Sequence, residues 1–147
     1  MKNSIKQTLL LLTGITTCGM FFFAASPQQP AVEKPEGKPW PVPKKVMTIT
    51  SPIQPQEGIL ETGKDIWSQQ CKSCHGKKGK GDGVKADKLD ISCGDFTSKK
   101  IQDATDAELF WKMSEGRKPM PSFKGELSDL ERWAVVLYTR TLAEDEQ

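Results

Sequence analysis

The sequence predicts an all-α domain of three to five helices, preceded by an N-terminal export segment and a proline-rich tether. Apolar residues recur at three- and four-residue spacings in several stretches of the C-terminal part, which is typical of amphipathic helices. Two of these stretches follow capping-box sequences, at residues 105–108 and 128–131, which mark helix starts. A length of 147 residues allows one domain of ordinary size plus extensions.

Residues 1–26 are predicted to be a signal sequence or membrane anchor. Two lysines precede a mostly apolar run at residues 9–25, a pattern typical of export. Ala24-Ala25-Ser26 resembles a cleavage site, but Pro27 follows it directly and disfavours cleavage. The run is also near the lower length limit for a membrane span. Retention as an anchor, removal, and lipid attachment at Cys18 are therefore alternatives, and each places the protein outside the cytoplasm.

Residues 27–56 are predicted to be a tether, because eight of the ten prolines in the chain lie in this stretch. Proline-rich chain favours an extended, semi-rigid conformation. Trp40 is an exception to the solvated composition, since a tryptophan is seldom left in water. We expect Trp40 to pack on the following domain or on a partner.

The folded domain is predicted at residues 57–147 and begins with a helix. Its apolar face has the required spacing and runs directly towards Cys71; the residues on it are Ile59, Leu60, Gly63, Ile66 and Trp67. Because Gly63 has no side chain, a second helix is able to cross closely at that position.

This helix leads into Cys71-Lys72-Ser73-Cys74-His75, a C-x-x-C-H motif that is the signature of covalent c-type haem attachment. Two thiols three positions apart can each add to one vinyl group of the same porphyrin, with the adjacent imidazole beneath the iron. The sequence therefore predicts Cys71 and Cys74 as the haem thioethers and His75 as the proximal iron ligand.

Three other interpretations of this motif compete with haem attachment. A thioredoxin-like dithiol expects a βαβ context. A zinc site needs four ligands, and His75 is the single histidine of the chain. A structural disulfide between Cys71 and Cys74 would leave His75 without a role. The haem interpretation is the one that uses all three residues.

A methionine is expected on the other side of the iron, because the single histidine excludes bis-histidine ligation within one chain. Outside the export segment the candidates are Met47, Met113 and Met120. Met120 is favoured as the distal ligand, because Pro119 and Pro121 prevent helix formation and hold the backbone extended around it. Met113 has core-like spacing in a predicted helix, and Met47 precedes the domain.

The segment after the motif is rich in glycine, with four in residues 76–83, and is predicted to form a flexible turn around the haem edge. It lacks the order of a phosphate-binding loop. Cys93 is predicted to be a buried thiol first, and a site of oxidation or intermolecular pairing second.

Two further helices complete the predicted domain. The first opens at Thr105 and ends at Gly116, with Leu109, Phe110 and Met113 facing inward and Trp111 partly so. The second opens at Ser128 and is expected to bury one face, made of Leu130, Trp133, Ala134, Leu137 and Tyr138.

With these motifs in order, the segment from about Glu57 to Leu142 resembles a class I cytochrome c domain. In that family an N-terminal helix bearing a glycine and an aromatic residue crosses the C-terminal helix, which Gly63, Trp67, Trp133 and Tyr138 match here. Met120-Pro121, residues 79–83, Asp95-Phe96-Thr97 and residues 106–111 also resemble a bacterial subgroup of single-haem cytochromes that are often tethered to respiratory membranes. The resemblance implies the cytochrome c fold around one covalent haem c, on the periplasmic side of a bacterial inner membrane.

The resemblance implies a one-electron carrier in a respiratory or other exported electron-transfer chain, because iron with both His75 and Met120 bound has no open position for a substrate. We therefore expect no enzyme activity and no catalytic residues. A haem c subunit of a larger membrane oxidoreductase is the alternative function, and a haem-based sensor, which requires Met120 to be displaceable, is a third. The expected partners are redox proteins or a respiratory complex, with the membrane held through the N-terminal segment and no nucleic acid.

Charge gives one further hint about partners. Between Lys72 and Lys88 there are six lysines against two acidic residues. Such a cluster steers an acidic redox partner, or it is ordinary solubilising charge.

Overall fold

The computed structural model describes residues 34–143, all within one compact unit. The predicted export segment with Cys18, and the first residues of the tether, lie outside the described residues. Five α-helices occur in this range, α1 Glu57–Ile66, α2 Lys72–His75, α3 Lys99–Gln102, α4 Asp106–Glu115 and α5 Asp129–Arg140. Over residues 34–143 no strand longer than an isolated bridge is present. The all-α prediction is confirmed.

Helix α1 continues through a π-helical turn, Trp67–Cys71, into α2. It packs against α5 at Gly63, which is buried. A Cβ atom at Gly63 would lie 2.2 Å from the Ala134 carbonyl oxygen and 2.8 Å from Tyr138 Cβ. The predicted close crossing is therefore confirmed, and a residue with a side chain does not fit there without movement.

The starts of α4 and α5 are where the capping sequences predicted them. Thr105 Oγ1 accepts a hydrogen bond from Glu108 N at 3.2 Å, while the Glu108 carboxylate pairs with Lys112, so α4 has half of a capping box. Ser128 and Glu131 form a complete box at α5. Both caps satisfy N–H groups that a helix start leaves free.

The core forms around α5, which is buried on nearly all sides. Trp133 stacks on Phe110 with ring centroids 4.1 Å apart, and Met113 is buried beside them, as predicted. The prediction that Leu130 belongs to the core is wrong, because it is 57% exposed. Leu130 lies in the first turn of α5, before the helix enters the core, and Arg132 is buried two residues later.

Residues 34–56 also lie against the helical body, so packing begins ahead of Glu57. Val46, in the 3-10 turn Lys44–Thr48, is buried, and the Trp40 ring contacts the Trp111 ring edge-on at 6.2 Å. The prediction that Trp40 packs on the domain is confirmed. Among residues 34–143, no helix has the length and apolarity needed to cross a membrane.

Candidate haem-binding site

A cavity of about 360 Å³ opens in the helical body and gathers the residues that the sequence singled out. Cys71, Cys74, His75 and Met120 all line it. Its volume is within the range of roughly 300–1,000 Å³ that cofactor and ligand sites occupy. The structure thus brings the predicted thioether residues and both predicted iron ligands to one space.

His75 is held by aromatic rings on its own side of the cavity. Its ring lies 5.7 Å from Trp67 and 5.1 Å from Phe96, the latter edge-on. The Trp67 indole N–H donates to the Gly76 carbonyl oxygen at 3.1 Å, which fixes Trp67 across the end of the motif. The imidazole therefore has little freedom to turn.

The state of His75 also suits a metal ligand. Its Nδ1 is buried and makes no hydrogen bond of normal geometry. Burial lowers the pKa of His75, and the backbone of Cys93 opposes this with a smaller effect. The imidazole is therefore neutral at pH 7, and the neutral form is the one that binds a metal.

The thiols do not resemble a redox-active dithiol. Cys71, Cys74 and Cys93 are free. Burial, with the nearby Cys74, raises the pKa of Cys71 to about 12, whereas catalytic dithiols have a lowered pKa. Within the described part of the chain, no group of three or more His, Cys, Asp or Glu side chains is arranged to hold a metal ion by itself. These observations disfavour the dithiol, disulfide and zinc interpretations.

Cys93 lines the same cavity and is partly buried rather than fully buried. Burial and the neighbouring Cys74 raise its pKa, while Lys34 lowers it. The predicted roles in oxidation or pairing stay predictions.

Met120 is presented by a tight turn that follows α4. The turn is closed by two backbone hydrogen bonds, from Arg117 N to Met120 O at 3.0 Å and from Met120 N to Arg117 O at 2.9 Å. It begins at Gly116, which ends α4 with φ 66°, and a Cβ there would lie 2.4 Å from the Pro121 backbone. Phe123 N then donates to Met113 O at 3.2 Å. The turn is thus tied to the end of α4.

Arg132, which was not predicted as a site residue, supports this turn through side-chain hydrogen bonds. It is buried, and its guanidinium lies 4.7 Å from the Phe110 ring centroid. It donates to the Ser114 hydroxyl and, at 3.2 Å, to the Leu127 carbonyl. The Ser114 carbonyl in turn accepts from Ser122 Oγ at 2.6 Å, two residues after Met120. The sequence signals for Arg132 are its place in an apolar helix and Asp129 three residues earlier, with which it forms an ion pair.

The other methionines are placed differently. Met47 is 45% exposed and lines a separate groove of about 660 Å³. That groove contains neither cysteine nor histidine, and its Asp106 and Arg140 already pair with each other. Met113 lines the haem cavity but is also part of the buried core. Met47 is therefore remote from the predicted site.

The glycine-rich residues 76–83 do not line the cavity but fold back on the motif. Gly81 N donates to His75 O at 2.9 Å, and Gly83 N donates to Cys74 O at 3.1 Å. These bonds satisfy the carbonyl groups that α2 leaves free at its end. The loop fixes the backbone that carries His75 instead of covering the cavity.

The donor set and the lining fit a haem c. Two thiols, a neutral imidazole and a thioether face one cavity, and most of its other lining residues are apolar. The same set occurs in cytochromes c, where two cysteines attach the haem covalently and histidine and methionine bind its iron.

Comparison with known proteins also supports a cytochrome c domain. Residues 58–138, more than half of the chain, match the family model described as cytochrome c oxidase, cbb3-type, subunit III. Among curated protein sequences none matches.

Two solved structures are similar. A chain of the reducing HAO-like protein complex Kustc0457/Kustc0458 of Kuenenia stuttgartiensis is 33% identical, with a TM-score of 0.58. The match covers 64% of this chain and 48% of that chain, so it spans about half of that protein's length. The KustC0563 c-type cytochrome is 26% identical, with a TM-score of 0.49, over 56% of this chain and 98% of that chain.

Proposed function

Since this chain belongs to the family of cytochrome c domains described as cbb3-type cytochrome c oxidase subunit III, we propose that it is a one-electron carrier with a single haem c. The observation that carries the proposal is the cavity shared by Cys71, Cys74, His75 and Met120. A single haem follows from the single C-x-x-C-H motif of the sequence.

Each of these residues has a separate task. Cys71 and Cys74 would hold the group through two thioether bonds, and His75 and Met120 would bind its iron. When bound, the haem supplies a reversible one-electron change at iron. If His75 and Met120 both bound the iron, no position would be left on it for a substrate, and we therefore propose a carrier rather than an enzyme.

The surroundings favour electron transfer without rearrangement. Trp67 and Phe96 fix the imidazole, and the hydrogen-bonded turn fixes Met120. The mostly apolar lining would limit access of water to the iron, and methionine ligation together with burial would raise the reduction potential.

We also propose an acidic redox partner that docks beside the motif. Val84 is 83% exposed, and exposed Lys72, Lys85 and Lys88 lie around it in sequence and structure. Lys85 N donates to Ser73 O at 2.7 Å, so this surface is attached directly to the C-x-x-C-H segment. Exposed Asp82 and Asp87 lie among these lysines, but lysines are in excess over residues 72–88, and an attraction to a transient acidic partner would weaken with salt.

The second candidate function is a haem subunit of a larger complex, which the similarity to a chain from a multi-subunit complex favours. Because the export pattern of residues 9–25 applies to both, we place the protein on the periplasmic side of a bacterial inner membrane in either case. Purification from native membranes separates the two: a carrier elutes alone, and a subunit elutes with its partners.

The test of the proposed function is production of the full chain in a host that matures c-type cytochromes. We expect a coloured protein with one iron per chain, whose haem stays on the polypeptide in a denaturing gel. The Cys71→Ser/Cys74→Ser double variant should lose this haem, and Cys93→Ser should keep it. A colourless wild-type protein, or haem that the double variant retains, would exclude the proposal.

A further inference from the structure

A strap formed by residues 34–43 lies across the haem cavity, although it precedes the region that matches the family. Its Gly37 and Trp40 line the same cavity as the C-x-x-C-H residues. The strap is anchored along its length. Lys34 Nζ donates to Ala86 O at 2.6 Å, and the Pro35 carbonyl accepts from Ser92 N at 3.0 Å.

The far end of the strap is held by Arg117, from the methionine turn. Arg117 Nη1 donates to the Pro39 carbonyl at 3.1 Å. Its Cζ atom lies 4.5 Å from the centroid of the Trp40 ring, a cation–π contact. The Trp40 ring also contacts the Trp111 ring edge-on, with centroids 6.2 Å apart. Arg117 and Trp40 therefore fix each other at the cavity wall.

Arg117 differs from the other cations of the cavity wall, which are Lys100 and Lys112. Lys100 pairs with Glu36 of the strap, and Lys112 pairs with Glu108. Over residues 34–143, Arg117 has no carboxylate within ion-pair distance. A guanidinium on a cavity wall without an acidic partner, in a residue of intermediate burial, is suited to an anionic group of whatever fills the cavity.

The haem itself carries such groups. Its two vinyl groups, which the cysteines take, are on one half of the macrocycle, and its two carboxylate side chains are on the other half. A planar guanidinium binds a carboxylate through two parallel hydrogen bonds. Glu108 is the one acidic side chain on the cavity wall in the described residues, and Lys112 neutralises it.

We propose that the strap is a functional part of the haem site: Arg117 binds a haem carboxylate, and Trp40 covers Arg117 and shuts water out from that edge. The inference rests on the proposed function and extends it to residues outside the matched domain. The positive charge opposes oxidation of the iron, because oxidation adds one positive charge nearby. Exclusion of water would also oppose oxidation and so raise the reduction potential, since water stabilises the more highly charged oxidised state.

Four variants test the inference in the mature holoprotein: Arg117→Gln, Trp40→Ala, Trp40→Phe and Lys118→Gln. Lys118→Gln is the matched control, because it removes one charge from the adjacent residue, which is exposed and does not line the cavity. The midpoint potential is measured by redox titration. The long-wavelength charge-transfer band of methionine-bound ferric haem reports whether the iron ligation is intact.

We expect Arg117→Gln to shift the ratio of reduced to oxidised protein at fixed potential by roughly tenfold towards the oxidised form, about 59 mV for one electron. Trp40→Ala should shift it in the same direction by a smaller factor, and Trp40→Phe and Lys118→Gln should leave it close to wild type. The charge-transfer band should persist in all four. Equal potentials in Arg117→Gln and Lys118→Gln would overturn the inference.

The outcomes also separate this inference from the proposed function. A wild-type protein without covalent haem rejects the proposed function. A wild-type protein with haem, whose potential is unchanged in Trp40→Ala and Arg117→Gln, rejects the strap alone. If Arg117→Gln accumulates without haem, Trp40→Ala decides, because it leaves the Arg117 charge in place and removes its cover.

Discussion

The two sides of the haem cavity are built in different ways. On one side, the thiols and the imidazole lie on five consecutive residues at the end of a helical run, and His75 packs against Trp67 and Phe96, whose rings also contact each other. On the other side, Met120 stands on a turn outside any helix, and backbone hydrogen bonds, Gly116 and the buried Arg132 hold that turn.

The two sides are therefore held in place by different kinds of interaction. The histidine side is specified locally, since both proposed attachment thiols and the proposed ligand come from one short segment. The methionine side depends on tertiary contacts that link α4, the turn and α5. We therefore expect perturbations to release the methionine from iron before they disturb the attachment of the haem.

The largest effect is expected from Met120→Ala, which removes the proposed distal ligand. The charge-transfer band of methionine-bound ferric haem should vanish and the reduction potential should fall strongly, because methionine ligation raises it. Covalent haem on a denaturing gel should be unchanged, since the thioethers lie on the other side.

Met113→Leu is the control for this prediction, because Met113 lines the same cavity from the core. A volume-conserving change there costs less than about 1.5 kcal/mol of stability and should keep the band. The reverse pattern, with the band lost in Met113→Leu and kept in Met120→Ala, would make Met113 the iron ligand.

The histidine side is best tested at Gly63, where α1 crosses α5. Gly63→Ala places a Cβ 2.2 Å from a backbone oxygen that cannot move freely, so we expect the free energy of unfolding to fall by about 2–3 kcal/mol. Gly58→Ala, in the same helix with no atom within 4 Å of the added Cβ, should raise it by up to about 1 kcal/mol. Urea unfolding of the holoproteins measures both changes in the free energy of unfolding. Equal stabilities of Gly63→Ala and Gly58→Ala would show that α1 and α5 can move apart at Gly63 without cost.

The same contrast explains what could be predicted from sequence. Helix starts at Thr105 and Ser128, the motif, and the glycine crossing were predicted because each depends on a few neighbouring residues. Leu130 was placed wrongly in the core, because periodicity gives the direction of a side chain but not where along the helix the core begins. Arg132 was missed, because two of its partners, Ser114 in α4 and Leu127 before α5, come together only in the folded chain, while its ion pair with Asp129 lies within α5.

A substitution at Arg132 tests the support of the methionine turn, because Arg132 is linked to that turn through Ser114 and Ser122. Arg132→Leu leaves the Leu127 carbonyl without its donor and removes the link to Ser114, so we expect a loss of about 2 kcal/mol of stability. The fraction of protein that shows the methionine band should fall as well, with covalent haem retained. Lys124→Met, which loses only an exposed pair with Glu115 at 3.6 Å, should change neither quantity. An intact band in Arg132→Leu at reduced stability would mean that Arg132 supports the core and not the turn.

The smallest effect is expected at the start of α5, a helix that both sides of the cavity share. Ser128→Ala should cost about 1 kcal/mol at neutral pH, since it removes the cap at the helix start. Hydrogen bonds from Ser128 lower the pKa of Glu131 below its usual value of 4.5. A lowered carboxyl pKa contributes stability that is complete above the unfolded value and is lost as the pH falls through the folded value. The difference in stability between wild type and Ser128→Ala should therefore shrink below pH 4.5.

Thr105→Ala is the control, because it removes a helix cap in which no carboxylate bonds back to the cap residue. Its cost of about 1 kcal/mol should stay constant over that pH range. A Ser128→Ala difference that is equally flat would show that the hydroxyl, and not the Glu131 carboxylate, accounts for the cap.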